Sequence, residues 1–154
     1  MEAQKKIEQL LKGESTSRIS SYILIGDICS GKTEYLKTLE GITYYDFEES
    51  AEYFFKNAIM TPQSFDLGKF FKEIKKITVN SGKLTVVDNL EIIANILYNK
   101  NLDKSGVKKF FSDSVNQVFK ENVIFVFSEV NEIRIGKCIA ETNFPEKNII
   151  KWGI

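Results

Sequence analysis

The sequence contains no histidine, and this absence removes several classes of site at once. Histidine is the commonest zinc ligand and the usual general base near neutral pH. The chain also has only two cysteines, Cys29 and Cys138, and their separation does not match the spacing of a metal site. We therefore exclude zinc hydrolase chemistry and any nucleophilic catalysis that depends on a Ser-His pair.

Long apolar runs are missing as well. The longest, at residues 23–25 and 123–127, are far too short to cross a membrane, and residues 1–4 do not begin a signal-peptide pattern. The 21 Lys and Arg residues balance the 21 Asp and Glu residues, so no overall charge attracts nucleic acid or an anionic membrane. We expect a cytoplasmic protein that does not bind membranes and that would contact DNA only through a local patch.

Proline is scarce, and no repeat or low-complexity tract interrupts the chain. Pro62 and Pro145 stand alone, and nothing between them resembles a linker. A length of 154 residues with 43% hydrophobic residues is enough for one domain with a real core. We predict a single domain over residues 1–154, in which residues 1–20 form an N-terminal helix and a connector.

Apolar runs alternate with segments of helical periodicity along the chain. Strands are predicted at residues 22–25, 42–47, 84–87, 123–127 and 148–152, and helices at 3–12, 33–39, 48–58, 65–77, 90–98 and 107–119. The turn signal Asn80-Ser81-Gly82 precedes the third strand. This order predicts an α/β fold of three layers, in which helices cover both faces of a mostly parallel, five-stranded sheet. Ligands bind such folds at the carboxyl ends of the strands, where Gly26, Asp88 and Ser128 are expected to converge.

Residues 26–33, GDICSGKT, match the phosphate-binding pattern G-x-x-x-x-G-K-[ST] between a predicted strand and a predicted helix. Glycines let successive backbone N–H groups point into one cradle, and the helix that follows adds the positive end of its dipole. Lys32 is expected to contact the β- and γ-phosphates of ATP, and the Thr33 hydroxyl to bind Mg²⁺. The alternative is an ordinary glycine turn. The residues predicted to bind the nucleotide are Gly26, Asp27, Ile28, Cys29, Ser30, Gly31, Lys32, Thr33 and Glu34.

Asp88 ends the predicted strand LTVV, as the acidic residue of a Walker B segment does. There it would hold Mg²⁺ opposite Thr33 or cap the following helix, and the two roles are compatible. The next residue is Asn89, where hydrolytic AAA-type ATPases commonly have glutamate, so efficient hydrolysis is in doubt. Glu91 is either a substitute base or a first-turn acid favoured by the helix dipole.

Two more polar residues follow the strand at residues 123–127. Ser128 occupies the position of a sensor that related ATPases keep near the γ-phosphate, although a hydroxyl at a strand end is also commonplace. Arg134 is one of only two arginines and is either a finger that reaches a neighbouring subunit's nucleotide or a surface residue without function. The predicted catalytic residues are Lys32, Asp88, Glu91, Ser128 and Arg134, and the predicted metal ligands are Thr33 and Asp88.

The phosphate-binding loop and the run VVDNLEII at residues 86–93 resemble the Walker pair of DnaA-type and other AAA-like ATPases. With its short length and the segment Phe144-Pro145-Glu146, the chain resembles the BrxF-like small P-loop proteins of type III BREX phage-defence systems. The resemblance implies a P-loop NTPase fold with an AAA-like core and no lid domain. It also implies an ATP-dependent accessory in bacterial phage defence that works as a homo-oligomer and with larger defence proteins.

Three functions compete on these residues. An AAA-like ATPase or nucleotide-dependent assembly switch is expected, because Asn89 favours switching over fast turnover. A small-molecule or nucleotide kinase shares the loop and the size but needs arginines to clamp the second phosphate, and two arginines fit that role poorly. A nucleic-acid-binding module with a bound nucleotide would depend on the lysine pairs at residues 75–76 and 108–109. The run NKNLD at residues 99–103 approximates a guanine-reading motif, but its acid is one residue too late to predict GTP.

Overall fold

The structure is a computed structural model that describes residues 2–14, 17–78, 84–101, 104–129 and 133–153. The predicted turn Asn80-Ser81-Gly82 lies outside these residues. So do Leu102 and Asp103 of the guanine-like run.

Every strand of the sheet runs parallel to its neighbours. The strands are β1 Ser21–Gly26, β2 Ile42–Asp46, β3 Leu84–Asp88, β4 Asn122–Ser128 and β5 Ile149–Lys151. They form one five-stranded sheet in the order β2-β3-β4-β1-β5. The predicted three-layer α/β/α fold is confirmed, and in the ranges described the sheet is wholly rather than mostly parallel.

Helices cover both faces of this sheet. They are α1 Glu2–Leu11, α2 Lys32–Thr38, α3 Phe47–Asn57, α4 Leu67–Thr78, α5 Glu91–Asn101, α6 Ser105–Val115 and α7 Ile135–Ala140, and a 3₁₀ turn spans Glu146–Asn148. Helices α1 and α2 pack on one face, and α3 to α7 pack on the other. Among the described residues, no helix has the length and apolar character needed to cross a membrane.

The central strands show why the sheet sits between two helical layers. In β1, Tyr22 and Leu24 face α1 and α2, whereas Ile23 and Ile25 face the larger helical layer. All of β1 and β3, and nearly all of β4, is buried, as expected of parallel strands covered on both faces. The edge strand β2 is half-buried throughout.

Phenylalanines fill the core of the larger helical layer. Phe110 on α6 lies 5.3 Å from Phe71 on α4 and 5.5 Å from Phe125 on β4, measured between ring centroids. Phe54 and Phe70 are also buried, so the aromatic residues around 53–55 and 70–71 belong to the core. Tyr53 is the exception, since 65% of it is exposed.

Side-chain caps and one unpredicted helix account for the main differences from the predicted boundaries. Asp46 accepts a hydrogen bond from the Glu48 amide at 3.0 Å, so a helix begins at Phe47, which the sequence pattern places at the end of a strand. Helix α6 ends at Val115, short of the predicted residue 119, where the amide instead donates to Ser20 Oγ. Helix α7 is only six residues long, too short to give a periodic signal.

The connections between strands create the crevice in which the site lies. The chain leaves β1 through α2 on one face, whereas it leaves β3 and β4 through helices on the other face. Strands β1 and β4 are neighbours, and Gly26 is paired with Ser128. Loops that part in opposite directions from adjacent strand ends leave a crevice at that edge of the sheet.

Candidate functional site

The loop between β1 and α2 is curved by residues in the left-handed region of backbone conformation. Gly31 has φ 93° and Cys29 has φ 57°, and glycine adopts such values without the steric cost that other residues bear. Gly26 is required for a different reason. A Cβ atom there would lie 3.0 Å from both the Cβ and the carbonyl oxygen of Trp152. The loop therefore turns tightly against the residue that follows β5.

The backbone amides of this loop have no hydrogen-bond acceptor among the described residues. In the ranges that the structure describes, no oxygen accepts a hydrogen bond from the amides of residues 27–34, and the first helical bond runs from the Tyr35 amide to the Gly31 carbonyl. Residues 27–30 are exposed at the surface. An arc of free amides at the start of a helix is suited to bind an anion.

Lys32 lies across the same loop with its side chain buried. Its Nζ donates to the Asp27 carbonyl at 2.7 Å and to Ser30 Oγ at 3.2 Å, so the ammonium joins the two arms of the loop. Burial lowers the pKa of Lys32, and the charges of Glu91 and Asp88 oppose that shift. The two carboxylates therefore favour the charged form of the ammonium and counteract part of the effect of burial.

Asp88 is almost fully buried at the end of β3, and three donors converge on it. Thr33 Oγ1 donates to Asp88 Oδ2 at 2.7 Å, and the Tyr44 hydroxyl donates to the same oxygen. The Asn89 amide donates to Oδ1 at 2.7 Å. This donor lies two residues before α5, and in the described contacts the carboxylate accepts no hydrogen bond from the first turn of that helix. The two predicted metal ligands, Thr33 and Asp88, are in direct contact.

Glu91 and Ser128 form a second polar pair beside the lysine. The Ser128 amide donates to Glu91 Oε1 at 2.5 Å, which ties the start of α5 to the end of β4. Burial raises the pKa of Glu91, while hydrogen bonds from Ser128 oppose the rise. A carboxylate with a raised pKa whose charge acts on a nearby lysine has the properties expected of a general base.

Arg134 is not drawn into this cluster. It is exposed, has φ 54°, and precedes α7. The carboxylate of Glu129 holds that end of α7 by accepting hydrogen bonds from the amides of Ile135 at 2.7 Å and Gly136 at 3.1 Å. The proposed finger residue therefore lies at the surface, on a segment fixed to the end of β4.

Trp152 and Tyr44 are site residues that the sequence patterns missed. The Trp152 amide donates to the Ile25 carbonyl at 2.8 Å, and its indole Nε1 donates to the Ser30 carbonyl at 2.9 Å. Its ring lies 5.3 Å from that of Tyr35 on α2. The chain has one tryptophan, placed at the end of the last predicted strand, and this was the only signal available for it.

Two adjoining cavities lie between β5 and α7, next to the loop. The first, of about 120 Å³, is lined partly by Gly26, Asp27 and Trp152. The second, of about 330 Å³, continues along β5 and shares Ile25 and Lys151 with the first. The crevice thus extends from the start of the loop along strand β5, on the side of the sheet away from Asp88.

The lysine pairs do not form a comparable site. Lys75 and Lys76 are exposed on α4, and Lys76 lies 3.6 Å from a carboxylate oxygen of Glu73. Lys108 and Lys109 are each paired with a carboxylate, at 2.7 Å and 3.0 Å. These are the contacts of solvated helix faces.

The structure therefore brings the loop, Thr33, Asp88, Glu91 and Ser128 to one edge of the sheet and leaves Arg134 outside. No protein-family model matches the chain, and no curated protein matches it at a significant level.

Proposed function

We propose that the chain binds Mg-ATP in the loop at residues 26–33 and acts as a weak AAA-like ATPase or a nucleotide-dependent assembly switch. The observation that carries the proposal is that the amides of residues 27–34 have no acceptor among the described residues, while the Lys32 ammonium lies against the same loop. Free N–H groups and a buried cation together complement the negative charge of a triphosphate. To contact phosphate, Lys32 would exchange its bond to the Asp27 carbonyl for one to a phosphate oxygen.

The contact between Thr33 and Asp88 supports Mg²⁺ as the cofactor. Both side chains offer oxygen, the ligand atom that Mg²⁺ prefers. The Thr33 hydroxyl would still donate its hydrogen bond to Asp88, while the lone pairs of its oxygen remain available to a cation. When bound, Mg²⁺ would neutralise charge on the phosphates, and Thr33 and Asp88 would hold it beside Lys32.

We expect slow ATP hydrolysis because of the two polar residues that follow Asp88 at the site. Asn89 has no basic group with which to accept a proton from water, and its side chain is engaged by Asp46 at 2.9 Å. Glu91 has the raised pKa of a base, but one of its oxygens is occupied by the Ser128 amide. We propose that Glu91 orients water inefficiently, so that the bound state lasts long enough to alter contacts with other proteins.

The proposal extends to a cytoplasmic role in bacterial phage defence, in a homo-oligomer and with larger defence proteins. This part is supported by the resemblance of the two Walker segments, and Arg134 would act in trans within such an assembly. Phage plating on bacteria that carry the chain's own defence system, with wild type or Lys32→Ala, tests it. Equal protection by the two would contradict the role of nucleotide in defence.

The binding proposal is tested with the intrinsic fluorescence of Trp152, whose indole contacts the loop at Ser30. We expect Mg-ATP to change the emission of wild type and Lys32→Ala to lose most of its ATP affinity, because the cation that faces the phosphates is gone. Asp88→Ala should lose mainly the Mg²⁺ dependence. Calorimetry checks the affinities, and size-exclusion chromatography with and without ATP reads assembly.

The matched control is Lys5→Ala, which removes an exposed lysine on α1. It should bind as wild type does. Unchanged ATP affinity in Lys32→Ala would contradict the proposal.

A further inference from the structure

Tyr44 contacts the metal-binding carboxylate from a neighbouring strand. It lies on the edge strand β2, where it is paired in register with Val86, two residues before Asp88. Its hydroxyl donates to Asp88 Oδ2, the oxygen that also accepts the Thr33 hydroxyl at 2.7 Å. No nucleotide-binding pattern includes this position, so its contact with Asp88 needs its own explanation.

The carboxylate of Asp88 has few acceptor positions left. A carboxylate offers about four lone-pair sites, two on each oxygen. Thr33 and Tyr44 take two on Oδ2, and the Asn89 amide takes one on Oδ1. A cation or a cation-bound water that approaches Asp88 must therefore use the last site or displace a donor.

Tyr44, rather than Thr33, is the donor that competes with the metal. The Thr33 oxygen can bind a cation while its hydroxyl still donates a hydrogen bond to Asp88. Tyr44 lies on β2, outside the loop, so its hydroxyl occupies Asp88 without offering the cation a place in the loop. Its ring is steadied by Lys37 Nζ, 5.7 Å from the ring centroid. A phenol hydroxyl keeps its proton at physiological pH, so Tyr44 remains a hydrogen-bond donor to Asp88.

We propose that Tyr44 is a positioning residue that sets the Mg²⁺ requirement of the site by occupying a lone pair of Asp88 until the metal and nucleotide arrive. The inference rests on the proposed function. Asp88 keeps two other donors, Thr33 and the Asn89 amide, so its orientation survives without the phenol hydroxyl. Removal of that hydroxyl therefore frees an acceptor and leaves the carboxylate in place.

The test compares wild type, Tyr44→Phe and the control Tyr45→Phe. Tyr45 is the next residue of β2 and packs against the opposite core cluster, so its variant removes a phenol hydroxyl away from Asp88. ATP affinity is measured through Trp152 fluorescence over a series of free Mg²⁺ concentrations and in EDTA. In Tyr44→Phe the half-saturating Mg²⁺ concentration should fall about two- to tenfold, the effect of one lost competing hydrogen bond. Affinity in EDTA and the behaviour of Tyr45→Phe should match wild type.

Each outcome decides between the proposals. An unchanged or higher Mg²⁺ requirement in Tyr44→Phe overturns the role of Tyr44 and leaves ATP binding intact. Wild type that binds no ATP overturns the proposed function and this inference with it. If Tyr44→Phe fails to fold, as shown by thermal unfolding, Tyr44→Met lacks the same hydroxyl and carries the same expectation.

Discussion

Replacement of Gly26 by alanine tests the tight packing between the loop and the residue after β5. The added Cβ would lie 3.0 Å from the Cβ and carbonyl oxygen of Trp152 and 3.3 Å from Lys32 Cδ. Trp152 cannot move away freely, because its amide and indole are both bonded to the strand and loop around Gly26. Overpacking of this kind costs about 1–3 kcal/mol.

For a chain of this length, that cost corresponds to a fall in melting temperature of about 2–12 °C. Thermal unfolding followed by circular dichroism measures it directly. We expect the loss of stability to be accompanied by weaker ATP binding, because relief of the contact shifts either the loop or Lys32.

The matched control is Gly68→Ala on α4. Gly68 is exposed, and its added Cβ would approach only a side-chain oxygen of Asp66, at 3.1 Å. Because alanine favours helix by about 1 kcal/mol over glycine, this variant should be as stable as wild type or more so. A Gly26→Ala protein that melts at the wild-type temperature would refute the packing argument.

Three further predictions concern the residues around the loop. Trp152→Phe keeps a ring beside Tyr35 but removes the indole donor to Ser30. Calorimetry should show weaker ATP binding, and thermal unfolding should show a loss of about 1 kcal/mol of stability. Unaltered ATP binding would mean that the loop does not need the hydrogen bond from the indole. Glu91→Gln should lower the ATP hydrolysis rate about 100-fold with little change in affinity, and an unchanged rate would identify Glu91 as a first-turn acid only. Because burial in the folded protein raises the pKa of Glu91, ionisation of this carboxyl lowers the stability of the fold. Wild type should therefore lose stability relative to Glu91→Gln as the pH rises from below 4.5 to neutral. If the stabilities of the two proteins changed with pH in the same way, burial of Glu91 would not be the cause.

The layers of the fold could be predicted because the information was local. Buried strands such as LTVVD appear as continuous apolar runs, and helices of ten or more residues repeat their apolar positions several times. The ends of helices and strands were harder to predict, because a capping side chain such as Asp46 decides where helix α3 begins. Helix α7 gave no repeat, and its start is fixed by Glu129 from a preceding strand end.

The site residues also fall into those that a local sequence pattern predicts and those that depend on the arrangement of the strands. Lys32 and Thr33 belong to one contiguous pattern, and Asp88 ends a strand that the pattern of burial reveals. Tyr44 and Trp152 reach the loop through the register and order of the strands, which no local pattern specifies. Arg134 is exposed in the described chain, and its role toward a neighbouring subunit stays a prediction, because a contact between subunits does not show in one chain.

The indole brace has a consequence for how the protein is made. Ser30 and Trp152 are 122 positions apart, and β5 with Trp152 follows every other described strand and helix in sequence. A nascent chain therefore carries the whole GDICSGKT segment long before the group that supports it leaves the ribosome. Truncation before Trp152 would leave the motif readable in the gene while the translated loop lacked its support.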